Sequence, residues 1–339
     1  MDHYKWSLRA GAAMILCAFL LRLSATGFFM PMVQLLTKPN IASIIIYLET
    51  GRIVRFSDSS GESTGFVPVF QQIPEATEPP PQEPVPVETP VFTADDAAGV
   101  EVLGTERTYN AGALLETPLD WDLTGPEPTV LILHTHATES FTRSAGERYT
   151  ESSAYRTLSE SYNMVSLGDR VAELLKAGGI HVIHDRQLHD YPSYNSSYTH
   201  ARKSIQQYLE EYPSIRLVLD LHRDASGDNS NQMTTSAVVD GQRSAQIMLV
   251  VAAGTDARPV PNWKENLALG LKLHVQLERT AEGICRYVNL RASRFNQDLS
   301  PGAILVEVGA AGNTHPEALK AAEVLAEAII ALKHGANVE

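Results

Sequence analysis

The sequence predicts an α/β fold: a mainly parallel twisted sheet with helices on both faces, preceded by an N-terminal transmembrane helix and a Pro-rich linker. Three observations carry this. Short, continuously apolar runs alternate with longer stretches whose apolar positions recur at helical period. The runs lack the alternation of a half-exposed strand, so both of their faces should be covered, as in parallel sheets. A separate apolar span and a proline-dense stretch precede them.

Lys5 and Arg9 stand ahead of AGAAMILCAFLLRLSATGFFMPMVQLL, where only Arg22 is charged. A bilayer-crossing helix needs about 20 apolar residues, and residues 10–30 meet that if Arg22 snorkels to an interface. Basic residues before the span place the N-terminus in the cytoplasm and the bulk of the chain outside. The predicted location is therefore the cell membrane, single-pass, with an extracytoplasmic catalytic domain. A cleaved signal peptide is the rival reading, with LSATG supplying small residues for a cleavage site. Residues 31–73 form a membrane-proximal segment. Residues 74–92 form a linker in which 74–90 hold seven prolines, four glutamates and no basic residue, the composition of a stiff, solvated spacer. Residues 93–339 make the catalytic domain.

Within that domain TVLILH (129–134) reads as a buried strand and NMVSLGDRVAELLKAGG (163–179) as a helix with a Gly-Gly stop. IHVIHD is strand-like, and SYTHARKSIQQYLEEYP (197–213) is an amphipathic helix ending before Pro213. IRLVLDLH (215–222) and AQIMLVVA (245–252) are further strands, followed by the helix NWKENLALGLKLHVQLERT (262–280). AILVEVG (303–309) is the last strand and HPEALKAAEVLAEAIIALKHG (315–335) the closing helix.

The net charge of −13 argues against a nucleic-acid partner, which needs a basic face. The only cysteines are Cys17 and Cys285, which excludes a disulfide framework and a thiolate metal site. Any metal would be held by nitrogen and oxygen.

Functional groups in such sheets collect beyond the carboxyl ends of the strands. The strand at 130–133 ends in His134-Thr-His136, the next in His222 and Arg223, and the last carries Glu307. Imidazole, imidazole and carboxylate from three strands should meet at one edge. Such a set suits Zn²⁺ with an open coordination position, while a further carboxylate moves a proton. That is the equipment of metal-assisted amide hydrolysis. His134 and His136 are both candidate ligands, since one can bind while the other caps a turn. His222 is a ligand or a partner of Asp220 or Asp224. An unpaired Glu307 in an apolar strand would be costly, so it is functional or pairs with an arginine. Glu139 and Glu160 compete for the third ligand position. Arg223, Arg294, Asn296 and Gln297 are candidate substrate-binding residues; the rival for the last three is a loop satisfying its own backbone. HDYPSYNSSYTHAR forms a further wall or merely a helix entry.

These stretches, together with ILHTHATESF, QIMLVVAAGT and RFNQDLSPGAILVEVGAAGNTHPEAL, resemble the stage II sporulation protein P family of endospore-forming bacteria over about residues 100–335. The resemblance implies a cell-wall hydrolase of engulfment, related to zinc-dependent N-acetylmuramoyl-L-alanine amidases. Such an enzyme cuts the amide joining stem peptide to glycan, and peptide cross-links as well. It implies peptidoglycan as substrate, Zn²⁺ as cofactor, and stage II sporulation proteins D and M as partners at the septal membrane. Carried onto this sequence, His134 or His136 is the first ligand, His222 the second, and Glu307 the catalytic acid/base. The related amidases place their ligand glutamate at a helix start, which Glu160 matches only loosely; Glu139, inside HTHATES, is preferred. The rival function is a catalytically inactive wall-binding scaffold of the engulfment complex. An esterase or deacetylase using the same metal is a third.

Overall fold

The apolar runs become strands of one seven-stranded sheet in the computed structural model, which describes residues 89–228 and 231–338. The expected membrane span, the 31–73 segment and linker residues 74–88 lie outside the described residues. Among the described residues no helix is long and apolar enough to cross a membrane.

Numbering only strands of the main sheet, these are β1 (Val102–Gly104), β2 (Val130–Leu133), β3 (Val182–His184), β4 (Leu217–Asp224), β5 (Ile247–Ala252), β6 (Val288–Arg291) and β7 (Ala303–Ala310). They lie in the order β1-β6-β5-β7-β4-β2-β3. The helices are α1 (Ala111–Glu116), α2 (Met164–Ala177), α3 (Ser197–Glu211), α4 (Trp263–Thr280) and α5 (His315–Ala331). Local chemistry sets their ends. The Asn163 side chain accepts from the Val165 N–H to start α2, and Gly179, at φ +84°, leads the chain out of it. Thr314 and Glu317 form a capping box at the head of α5.

The mainly parallel sheet is as expected, with one reversal. β7, β4, β2 and β3 run one way and β5, β6 and β1 the other, so β5 and β7 pair antiparallel. Parallel neighbours need a crossover of a dozen or more residues. The link from β6 to β7 holds only a short 3₁₀ turn, Gln297–Leu299, so the chain turns straight back. β1 and β6 have no counterpart in the sequence reading: β1 is three residues long, and β6 reads VNLR, half polar.

Helices cover both faces, unequally. One face carries α2, α4 and α5, packed on Ile132, Leu219, Leu249, Val251, Ile304 and Val306. α2 contributes Val165, Leu167, Val171 and Leu175, each worth roughly 1.5–3 kcal/mol when fully buried. On the opposite face α3 lays Ala201 and Ile205 over Leu131, Leu133 and Val218. Further along that face, Met248, Val250 and Leu305 form an apolar cluster with Tyr287 and Phe295, and among the described residues no helical side chain belongs to it. The candidate site borders this helix-free half.

Candidate active site

Strand pleating sorts the strand-end groups. Leu131 and Leu133 face α3, so His134, the next residue, faces α2. There it is fully buried: Nδ1 lies 3.1 Å from the Leu221 carbonyl and Nε2 lies 2.8 Å from Nε2 of His184. Both nitrogens are engaged, close beneath Gly168 of α2. Burial, with His184 adding, pushes its pKa down to about 3. The structure does not bring His134 to the other candidate ligands.

The chain then leaves the strand. Residues 135–138 form a turn, which carries His136 to the opposite face. Asp220 fixes the turn, accepting from Thr135 N–H at 2.7 Å and Thr135 Oγ1 at 2.6 Å. Thr138 Oγ1 donates to Asp190 at 2.6 Å. The His136 ring stacks on Tyr194 at 4.5 Å and meets Tyr198 edge-on at 5.6 Å. It also stands perpendicular to the His222 ring, 5.3 Å between centroids.

Glu139 and His222 complete the group. Glu139 Oε2 is 3.5 Å from His222 Nδ1. Oε1 of the same carboxylate is 3.2 Å from Arg156 and 3.4 Å from Arg223. Burial would raise the Glu139 pKa, but Arg223 first and then His222 outweigh it and hold the carboxylate below its ordinary range. Burial would likewise lower His222, yet Asp220 and then Glu139 hold it well above its ordinary value. His136 has weaker support, and burial pushes it down to about 4.

Glu307 is the direct register partner of His222 across β7 and β4. Burial, with Glu139 and Asp224 adding, raises its carboxyl to about 8. His136, Glu139, His222 and Glu307 line one cleft of about 440 Å³. Glu160 is elsewhere, paired with Arg186 at the surface.

The candidate substrate residues separate. Arg223 lines the cleft, but its guanidinium also ties down the glutamate loop, donating to the carbonyls of Ser140 at 3.0 Å and Tyr155 at 3.1 Å. Arg294 is exposed, 3.9 Å from Asp298, and does not line the cleft. Asn296 turns inward and donates to the Tyr198 carbonyl at 2.9 Å. Gln297 bonds β5, accepting from Ala252 N–H at 2.8 Å and donating to the Val250 carbonyl at 2.9 Å. For Asn296 and Gln297 the loop satisfies backbone groups, and neither lines the cleft. In their place Phe295, Tyr287, Asn289, Arg291 and Arg286 line the cleft, Arg286 held by Asp224 at 2.7 Å. Sequence reasoning also missed Arg156, which joins Glu139 to Asp190 (2.8 Å) and lies over the Tyr194 ring at 4.6 Å. The clustered tyrosines after HDYP were the available signal for that wall.

Whether these residues suit zinc turns on their unsatisfied atoms. Among the described residues, His136 Nδ1, His222 Nε2 and Glu307 Oε2 are buried without a hydrogen-bond partner, a costly state unless something binds there. His222 Nε2 does lie 3.0 Å from Asp220 Oδ1, but without hydrogen-bond alignment. Two imidazole nitrogens and a neighbouring carboxylate are a zinc donor set. Among the described residues no three such side chains are arranged to hold a metal ion as they stand; the Glu139 carboxylate faces two guanidinium groups instead. The fit is therefore one of donor type: Glu139 faces Nδ1 of His222, whereas the unsatisfied nitrogen of that ring, Nε2, faces Asp220.

Comparison with known proteins places the chain. The family model described as stage II sporulation protein P matches residues 74–330. A stage II sporulation protein P of Bacillus subtilis (strain 168) is 25% identical over 259 residues, 72% of this chain; the chain spans 61% of the length of that curated relative. Among solved structures, the N-acetylmuramoyl-L-alanine amidase AmiC2 of Nostoc punctiforme is similar, with a TM-score of 0.37 and 13% identity, covering 61% of this chain and 97% of that one. The CwlD amidase from Clostridioides difficile, solved with the GerS lipoprotein, has a TM-score of 0.36 and 14% identity, covering 60% and 94%.

Proposed function

The chain belongs to the stage II sporulation protein P family, and from that membership we propose that it is a zinc-dependent hydrolase of peptidoglycan, acting on septal wall during sporulation. The bond cut is the amide between muramoyl lactate and L-alanine, with peptide cross-links as a second target. In this reading residues 10–30 anchor the chain in the cell membrane with the catalytic domain outside, and stage II sporulation proteins D and M are its partners.

One observation carries the proposal. His136, Glu139, His222 and Glu307 come from three strand ends remote in sequence and share one cleft, with two imidazole nitrogens and a carboxyl oxygen buried and unpartnered. His136, Glu139 and His222 would hold the metal. A zinc ion bound there supplies Lewis acidity toward the scissile carbonyl and the attacking water. Tyr194 and Tyr198 fix the plane of the His136 ring, while Arg223 and Arg156 orient the Glu139 carboxylate. Glu307 is the acid/base. Its carboxylate would take a proton from the attacking water and pass it to the leaving amine. The helix-free face beside it receives the peptide.

The test is digestion of purified sacculi by the full-length chain, with and without a chelator, alongside Glu307→Gln and metal analysis of the isolated protein. Chelator-sensitive release of stem peptides with free L-alanine amino termini, lost in Glu307→Gln while zinc is retained, supports the reading. Wall binding without release supports an inactive scaffold, the second reading, which the engagement of Glu139 by two arginines favours.

A further inference from the structure

The helix-free half of the sheet leads away from Glu307 to an arginine that the chemistry above does not use. Along β6 the pleat sends Tyr287, Asn289 and Arg291 to the cleft face, in register with Val250 and Ala252 of β5. The other cleft arginines are engaged, Arg286 by Asp224 and Arg223 by Glu139 and two carbonyls. Arg291 is exposed, and its guanidinium has no hydrogen-bond or ion-pair partner among the described residues.

Register gives the separation. Glu307 is opposite Met248, and Arg291 opposite Ala252, four residues further along β5 and on its other side. At about 3.3 Å per residue and about 4.8 Å between strands, Arg291 lies about 16 Å from Glu307. An extended peptide covers that in about five residues. Between the two ends the floor is Met248, Val250 and Leu305, rimmed by Tyr287 and Phe295.

We propose that Arg291 is a specificity-determining residue that receives the carboxylate of an extended acidic peptide lying across this floor. This rests on the hydrolase reading for placing the scissile amide at Glu307. The planar guanidinium fork suits bidentate carboxylate binding, and the apolar floor requires little of the side chains between.

The experiment is calorimetric titration of the full-length chain with a five-residue wall stem peptide, its C-terminal amide, and a three-residue acid too short to reach. Amidation should weaken binding of the five-residue peptide about tenfold, the scale of one hydrogen-bonded charge pair. Arg291→Gln should weaken the acid by the same factor and erase the discrimination, and Arg291→Lys should keep part of it. The three-residue acid and its amide should bind alike. Equal affinity of the five-residue acid and amide for the unmodified chain overturns the inference. So does an equal loss for both ligands in Arg291→Gln, or no measurable binding of the acid. Because binding needs no turnover, discrimination without release of wall peptides would remove the hydrolase reading and leave the carboxylate site standing.

Discussion

Gln297→Ala separates a loop that binds substrate from a loop that completes the sheet. The β5–β7 ladder stops at Val250 and Leu305, and beyond it the Gln297 amide bonds to Val250 and Ala252 in place of a strand. Gln297 is 2% exposed, and Val250 and Ala252 are 4% and 0% exposed, so water cannot replace it. Truncation leaves one N–H and one C=O unpaired, at about 1–3 kcal/mol each, and removes roughly 1 kcal/mol or more of buried methylene contact. A loss of about 3 kcal/mol after relaxation is expected, or about 6–12 °C in Tm for a domain of this size. Gln297→Glu should cost at least as much, because it keeps the acceptor for Ala252 but turns an oxygen toward the Val250 carbonyl. Urea denaturation and calorimetry give stability, and wall digestion by the folded fraction gives KM, which should not change. An unchanged Tm with a raised KM would refute this and restore Gln297 as a substrate contact.

Glu139→Ala should be severe in metal-free protein, because it leaves Arg156, Arg223 and His222 facing one another around a buried gap. Breaking a buried charge network typically costs 3–5 kcal/mol, and denaturation in chelator would show less than about 1 kcal/mol if the network were idle. Gly168→Ala should destabilise although helix propensity alone favours alanine by about 1 kcal/mol, since the added methyl would run into the paired rings of His134 and His184; a rise in Tm would contradict that packing. Lys272, 1% exposed and bonded to the Leu114 carbonyl at 2.7 Å, is lowered by burial from 10.5 to about 8. The folded state then binds fewer protons than the unfolded between about pH 8 and 10.5, so this residue adds stability as pH rises through that window, up to about 3 kcal/mol. Lys272→Met should abolish that rise relative to the parent chain, and parallel pH–stability curves would count against it.

The site was legible where one rule sufficed. Apolar strands in a parallel set end together, so His222 and Glu307 could be placed on a shared edge from their runs alone, and they are register partners. Choosing between His134 and His136 needed the pleat, and the pleat needed to know where β2 stops. Nothing in LILHTHATES marks that the strand ends at Leu133, because the turn is fixed by carboxylates of Asp220 and Asp190, 85 and 52 residues away. Gln297 was opaque for the same reason: its partners lie 45 and 47 residues back. Arg291 is hidden in the sequence because the strand it ends is four residues long with polar alternate positions, a pattern that resembles a loop.

The missing crossover before β7 links the fold to the cleft. Among the described residues only α3, between β3 and β4, packs on the second face; α2, α4 and α5 all pack on the first. A helix between β6 and β7 would have allowed parallel pairing and could have covered Met248, Val250 and Leu305. Neither the 292–302 link into β7 nor, among the described residues, the 225–246 link out of β4 carries an α-helix, so β5 and β6 run against β4 and β7, which sets Met248 in the Glu307 row and carries Arg291 away from it. Lengthening residues 292–302 with a helical insert should therefore block peptide binding before it disturbs His136 or His222, whose β2 and β4 lie on the other side of β7. Loss of metal binding in such a variant, with peptide affinity intact, would show that cleft and donor set are not arranged by this reversal.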